Sequence, residues 1–72
     1  MIYTFYLDIP SDDVLMFYQK KLAAVSVITD QGARLQFPFH HLRPFISHIG
    51  VRGRFRVVLD ENNALSLIER LA

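Results

Sequence analysis

Arg52, Arg54 and Arg56 take every second position in the stretch GVRGRFRVVLD, residues 50–60, alternating with Gly53, Phe55, Val57 and Leu59. On a β-strand this spacing sets three guanidinium groups on one face and an apolar set on the other. Guanidinium forks onto phosphate and stacks on aromatic rings, so the row suits an anionic partner. Alternating polar residues are equally what a solvated strand face shows, and both readings stand at this level.

The neighbouring sequence strengthens the first reading. Acids stand at Asp8, Asp12, Asp13, Asp30, Asp60, Glu61 and Glu69, leaving none between Gln31 and Leu59. That stretch holds five of the six arginines (Arg34, Arg43, Arg52, Arg54 and Arg56) and all three histidines. A net charge of only +1 therefore conceals a segregation along the chain that predicts a local positive field. Phe39 and Phe45 fall in the same stretch and offer stacking planes of the kind single-stranded nucleic acid uses on small β-domains. A core claims them just as well, because most of the six Phe and three Tyr of a 72-residue chain must be buried.

Other chemistry finds little support. His40, His41 and His48 have no cysteine and no nearby acid to complete a metal shell, and their spacing matches no zinc pattern. Asp12 and Asp13 sit where a helix begins and are explained by its dipole. The serines stand in no nucleophile motif, and three glycines are too scattered for a phosphate-cradling loop. Cyclic dinucleotide sites on small barrels pair arginines with a Ser- and Gly-containing strand motif, which is missing here. The expectation is a non-enzymatic binding module with no cofactor and no metal. Its partner is RNA, single-stranded nucleic acid or another anion, bound through Arg34, Arg43, Arg52, Arg54 and Arg56 with Phe39 or Phe45 stacking.

A protein-interaction module is the alternative. Met16, Phe17 and Tyr18 are consecutive on a short helix, so at least one faces away from the core, and Ile2 and Tyr6 lie on the less apolar side of the first strand. Exposed apolar groups of this kind mark a protein partner or a homodimer interface.

These residues need elements to position them. Met1 to Ile9 alternates as a strand that Pro10 ends, and Ser11-Asp12-Asp13 opens a helix over residues 12–20, with Val14, Leu15, Tyr18 and Leu22 at helical spacing and Lys20 and Lys21 suiting its C-terminal end. Residues 24–29 and 33–37 flank Asp30-Gln31-Gly32 as a hairpin. Pro38 closes it, and the Pro-containing segment to Gly50 is an irregular link with a 3₁₀ turn at His40–Leu42. The arginine strand follows over 51–59, with Phe55, Val57 and Leu59 inward. A polar turn at 60–63 leads to a C-terminal segment whose spacing fits helix or strand, and the tight turn favours a strand. The expected fold is one mostly β (α+β) domain over 1–72: a small five-stranded, partly open β-barrel with one short helix after the first strand, order β-α-β-β-β-β. Without a basic n-region or an apolar run approaching the ~20 residues of a membrane span, the chain is expected in the cytoplasm.

Three short motifs, Gln36-Phe37-Pro38, Leu42-Arg43-Pro44-Phe45 and Gly50-x-x-Gly53-Arg54-Phe55, stand between an N-terminal Tyr3-x-Phe5-x-Leu7-x-Ile9 and a closing Ile68-Glu69-Arg70-Leu71. Together they resemble a family of short proteobacterial proteins known as Domain of Unknown Function 2835. The resemblance spans nearly the whole chain and implies a bacterial source and a compact domain. It brings no activity and no catalytic residues to transfer.

Overall fold

The computed structural model describes residues 1–19 and 24–71. Its elements are β1 (Ile2–Pro10), α1 (Ser11–Gln19), β2 (Ala24–Ile28), β3 (Arg34–Pro38), a 3₁₀ helix (Phe39–Phe45), β4 (Gly50–Leu59) and β5 (Leu65–Arg70). The helix starts one residue earlier than its sequence signals, at Ser11, and the 3₁₀ segment runs three residues beyond His40–Leu42, through Pro44 to Phe45. The expectations placed on Lys20, Lys21 and Leu22 lie outside the described residues.

β4 is the centre of an antiparallel sheet of order β1-β4-β5. Its register sets Phe5 against Phe55, Tyr3 against Val57 and Ile9 against Val51, so the odd-numbered residues of both strands share the inner face. Phe5, Phe55, Val51 and Val57 are fully buried there, each large side chain adding about 1.5–3 kcal/mol through removal from water. Leu59, at the strand's end, is only half-buried. The C-terminal segment is a strand because Asp60 organises the turn before it, its Oδ1 accepting the N–H groups of Asn62 (2.8 Å) and Ala64 (3.0 Å). A bulge between Val58 and Leu59 then leaves Ser66 as the extra residue of β5.

β2 and β3 form a separate two-stranded sheet. Phe37 of β3 stands with its ring centroid 6.0 Å from that of Phe5, joining the two sheets through one core. The hairpin is also fastened to the free edge of β1. Asp30 N–H donates to the Thr4 carbonyl (2.8 Å), Thr4 N–H donates to Gln31 Oε1 (3.1 Å), and the Thr4 hydroxyl donates to Asp30 Oδ2 (2.8 Å). Away from Thr4 the two strands part, and a groove of about 380 Å³ opens between them, lined in part by Leu7, Ile9, Met16, Phe17 and Val25. The five strands therefore form two antiparallel sheets and no closed barrel. Part of the reason is α1, which follows β1 without a linker and contributes Met16 and Phe17 to the space where β1 and β2 would have to meet.

Candidate interaction surface

The outer face of the three-stranded sheet is built by register. The even-numbered residues of β1 and β4 point away from the core, which brings Ile2 beside Val58, Thr4 beside Arg56, Tyr6 beside Arg54 and Asp8 beside Arg52. β5 continues two of these rows, with Leu67 beside Val58 and Glu69 beside Arg56. The surface thus has an apolar row, Ile2–Val58–Leu67, next to a charged field.

Every guanidinium in that field has an acceptor. Arg54 is paired with the carboxylate of Asp30, the same group that holds Thr4. Arg56 Nε donates to Glu69 Oε1 at 2.5 Å. Arg52 Nε donates to the Tyr6 hydroxyl at 3.4 Å, and that hydrogen bond, followed by the charge effects of Tyr6 and Asp8, holds its guanidinium above the ordinary value. Three arginines face three carboxylates (Asp8, Asp30, Glu69), so the face is close to electrically balanced. The stretch from Gln31 to Leu59 is free of acid along the chain only, because strand pairing and the hairpin turn bring in acids from 44 residues away in β1, 24 away in the turn and 13 away in β5. The positive field expected from sequence segregation is therefore offset where the arginines stand.

The remaining candidates are dispersed. Arg34 lies on β3, lining a hollow of about 300 Å³ with Tyr3, Leu35, Leu59 and Asn63 to which no β4 arginine contributes. Arg43 is exposed on the 3₁₀ helix, whose Phe39 and Leu42 enter the core. Phe39 is buried and stacks on Phe17, ring centroids 4.4 Å apart and planes 6° from parallel. Phe45 is half-buried, edge-on to Phe55 at 5.2 Å. Phe39 is therefore taken up by the core and offers no open stacking plane, while Phe45 keeps part of its ring exposed.

The aromatic set divides as well. Ile2 and Tyr6 are exposed on the outer sheet face, whereas α1 packs on the inner side through Val14 and Phe17. Met16 and Tyr18 are exposed on that helix, and Tyr18 also meets Phe39 edge-on at 6.0 Å. The five residues form two surfaces, and Phe17 is half-buried, stacked on Phe39 at the groove between β1 and β2. Sequence reasoning missed Val58 and Leu67, which complete the apolar row of the outer face. The signal was present in the Leu65-x-Leu67 alternation, but the bulge at Ser66 turns Leu65 inward and Leu67 outward, which alternation alone does not reveal.

His40 and His41 have ring centroids 4.2 Å apart, and burial, with a smaller contribution from His40, holds His41 below the ordinary imidazole value. Among the described residues no group of three or more His, Cys, Asp or Glu could hold a metal ion. No described helix is long and apolar enough to cross a membrane.

A family model described as "Protein of unknown function (DUF2835)" matches residues 1–71. Comparison with curated proteins gives no match. Comparison with solved structures gives none either.

Proposed function

The chain belongs to this family of unknown function, whose description assigns no activity, and we propose from its own surface that it is a non-enzymatic protein-interaction module that associates with itself through the outer side of the three-stranded sheet. The observation that carries this reading is the composition of that face. Ile2 and Leu67 are 56% and 45% exposed at the two ends of the apolar row, Tyr6 is exposed on the same face beside Arg54, and the adjacent arginines are already neutralised. Tyr, Arg and aliphatic groups without net charge are what protein interfaces favour, and a charge-balanced face can be covered by protein without leaving an unpaired ion. A cysteine-free chain also suits the reducing cytoplasm. Light scattering after size-exclusion chromatography over a concentration series tests the reading. The parent should form a dimer that the double variant Ile2→Glu/Leu67→Glu dissociates. A parent that stays monomeric at millimolar concentration would refute it.

A second reading, binding of RNA or single-stranded nucleic acid, is favoured by one observation: Arg52, Arg54 and Arg56 share a face with the exposed ring of Tyr6, and the Arg54 and Arg56 side chains remain 45% and 37% exposed. Phosphate would then displace the carboxylates. Binding of a short oligonucleotide should weaken with salt at a log–log slope of about −0.7 per phosphate contact, and Asp30→Asn with Glu69→Gln should tighten it. An absence of binding at low salt by both parent and variant ends this reading.

A further inference from the structure

β4 spends one side on β1 and the other on β5, and the far edge of β5 pairs with no strand among the described residues. The opposite edge of the sheet differs, since the hairpin turn occupies β1 at Thr4. We propose, resting on the self-association reading above but as a contact distinct from the outer face it describes, that β5 pairs antiparallel with β5 of a second copy about a two-fold axis through Ile68, joining two three-stranded sheets into one of six strands.

The phase of the backbone identifies which groups are available. Leu71 N–H donates to the Arg54 carbonyl at 2.8 Å, and Glu69 and Leu67 stand opposite Arg56 and Val58, so the odd-numbered residues of β5 turn their backbone groups toward β4. Antiparallel alternation then turns Ile68 outward, with its N–H and carbonyl on the unpaired edge. A two-fold axis normal to the sheet keeps each side chain on its own face, so the axis passes through a residue. Centred on Glu69, it would set two carboxylates directly opposite each other, which is destabilising. Centred on Leu67, it would draw the turn residue Ala64 into the ladder opposite Arg70. Centred on Ile68, it places Ile68 against Ile68, Leu67 against Glu69 and Ser66 against Arg70, with no like charges opposed.

The occupant fits chemically because β5 opposes no like charges to itself in that register and sets Ile68 against Ile68. Glu69 is already held by Arg56, so pairing covers no free carboxylate. Ile68 is half-buried on the core side, packed against the cluster that contains Phe55 and Val57, and meeting its counterpart carries one core into the next. Leu67 and Leu71, each about half exposed, lose water from the other face. The edge carries no proline, and its one charged pair stands at its end, so little in it resists pairing.

The full chain tests this directly. Ile68→Pro removes an N–H that faces away from β4 and should give a monomer that keeps its β circular dichroism, raising the dissociation constant at least about ten-fold, whereas Ile68→Ala keeps the donor and should weaken the dimer less. Hydrogen exchange on the parent supplies a readout independent of variant folding. The Ile68 amide should be protected in concentrated solution and lose protection on dilution, while Glu69 and Leu71 stay protected throughout. A dimer in which Ile68 exchange ignores concentration, or one that survives Ile68→Pro, overturns the edge pairing and leaves self-association standing through another face. A parent that is monomeric at every concentration overturns both.

Discussion

Gly50 lies so close to Ile9 that a Cβ built at position 50 would stand 2.0 Å from the Ile9 carbonyl oxygen, with the Pro10 carbon and Ser11 nitrogen both at 2.8 Å. These are backbone atoms at the junction of β1 and α1, and they cannot swing aside as a side chain would. Gly50 also has φ +108°, a conformation L-residues rarely adopt. Gly50→Ala should therefore cost at least about 2–3 kcal/mol, read as a lower urea midpoint with unchanged slope. Gly32→Ala is the comparison. It carries φ +83° with nothing within 4 Å of its Cβ, so only the backbone preference is lost, about 1–2 kcal/mol.

Phe55 and Arg54 are neighbours in sequence with opposite fates. Phe55→Ala empties a fully buried site between Phe5 and Phe45 and should cost about 3–5 kcal/mol, enough to unfold so small a domain. Arg54→Gln removes an exposed ion pair with Asp30 and should change thermal stability by less than about 1 kcal/mol.

On α1, Phe17→Ala should destabilise the fold by breaking the stack on Phe39, while Met16→Ala, at an exposed position, should stay within about 0.5 kcal/mol of the parent. Chemical denaturation of the two variants side by side separates the core residue from the surface one.

His41 gives the pH dependence a sign. Its imidazole is held below the value of 6.5, chiefly by burial and then by His40, so the folded chain takes up this proton less readily than the unfolded chain. Above pH 6.5 both states are neutral here and the contribution is fully present. As pH falls below 6.5 the unfolded state gains the proton first, and stability declines until the folded imidazole titrates as well. Urea midpoints at pH 7.5 and 5.5 should differ in that direction, and His41→Gln should reduce the difference.

Much of the fold was legible along the chain because its signals are local. The Met1–Ile9 alternation, Pro10 followed by Ser11-Asp12-Asp13, the Asp30-Gln31-Gly32 turn and the period of two through Arg52, Arg54 and Arg56 each depend on residues a few positions apart, and each appears as an element of the structure. The same period placed Phe55 and Val57 in the core and the arginines outside it. What the arginines face was decided only in three dimensions. Asp8 and Asp30 approach from 44 and 24 positions away because β1 pairs with β4 and the hairpin turn bonds Thr4, and no spacing within residues 50–60 encodes either event. Phe39 was claimed by Phe17 in the same way, across 22 positions. Local pattern determines which face a side chain takes, because the strand period is a property of the backbone itself. Pairing between distant strands determines which charges and rings share that face, because it follows from how the whole chain buries its apolar surface.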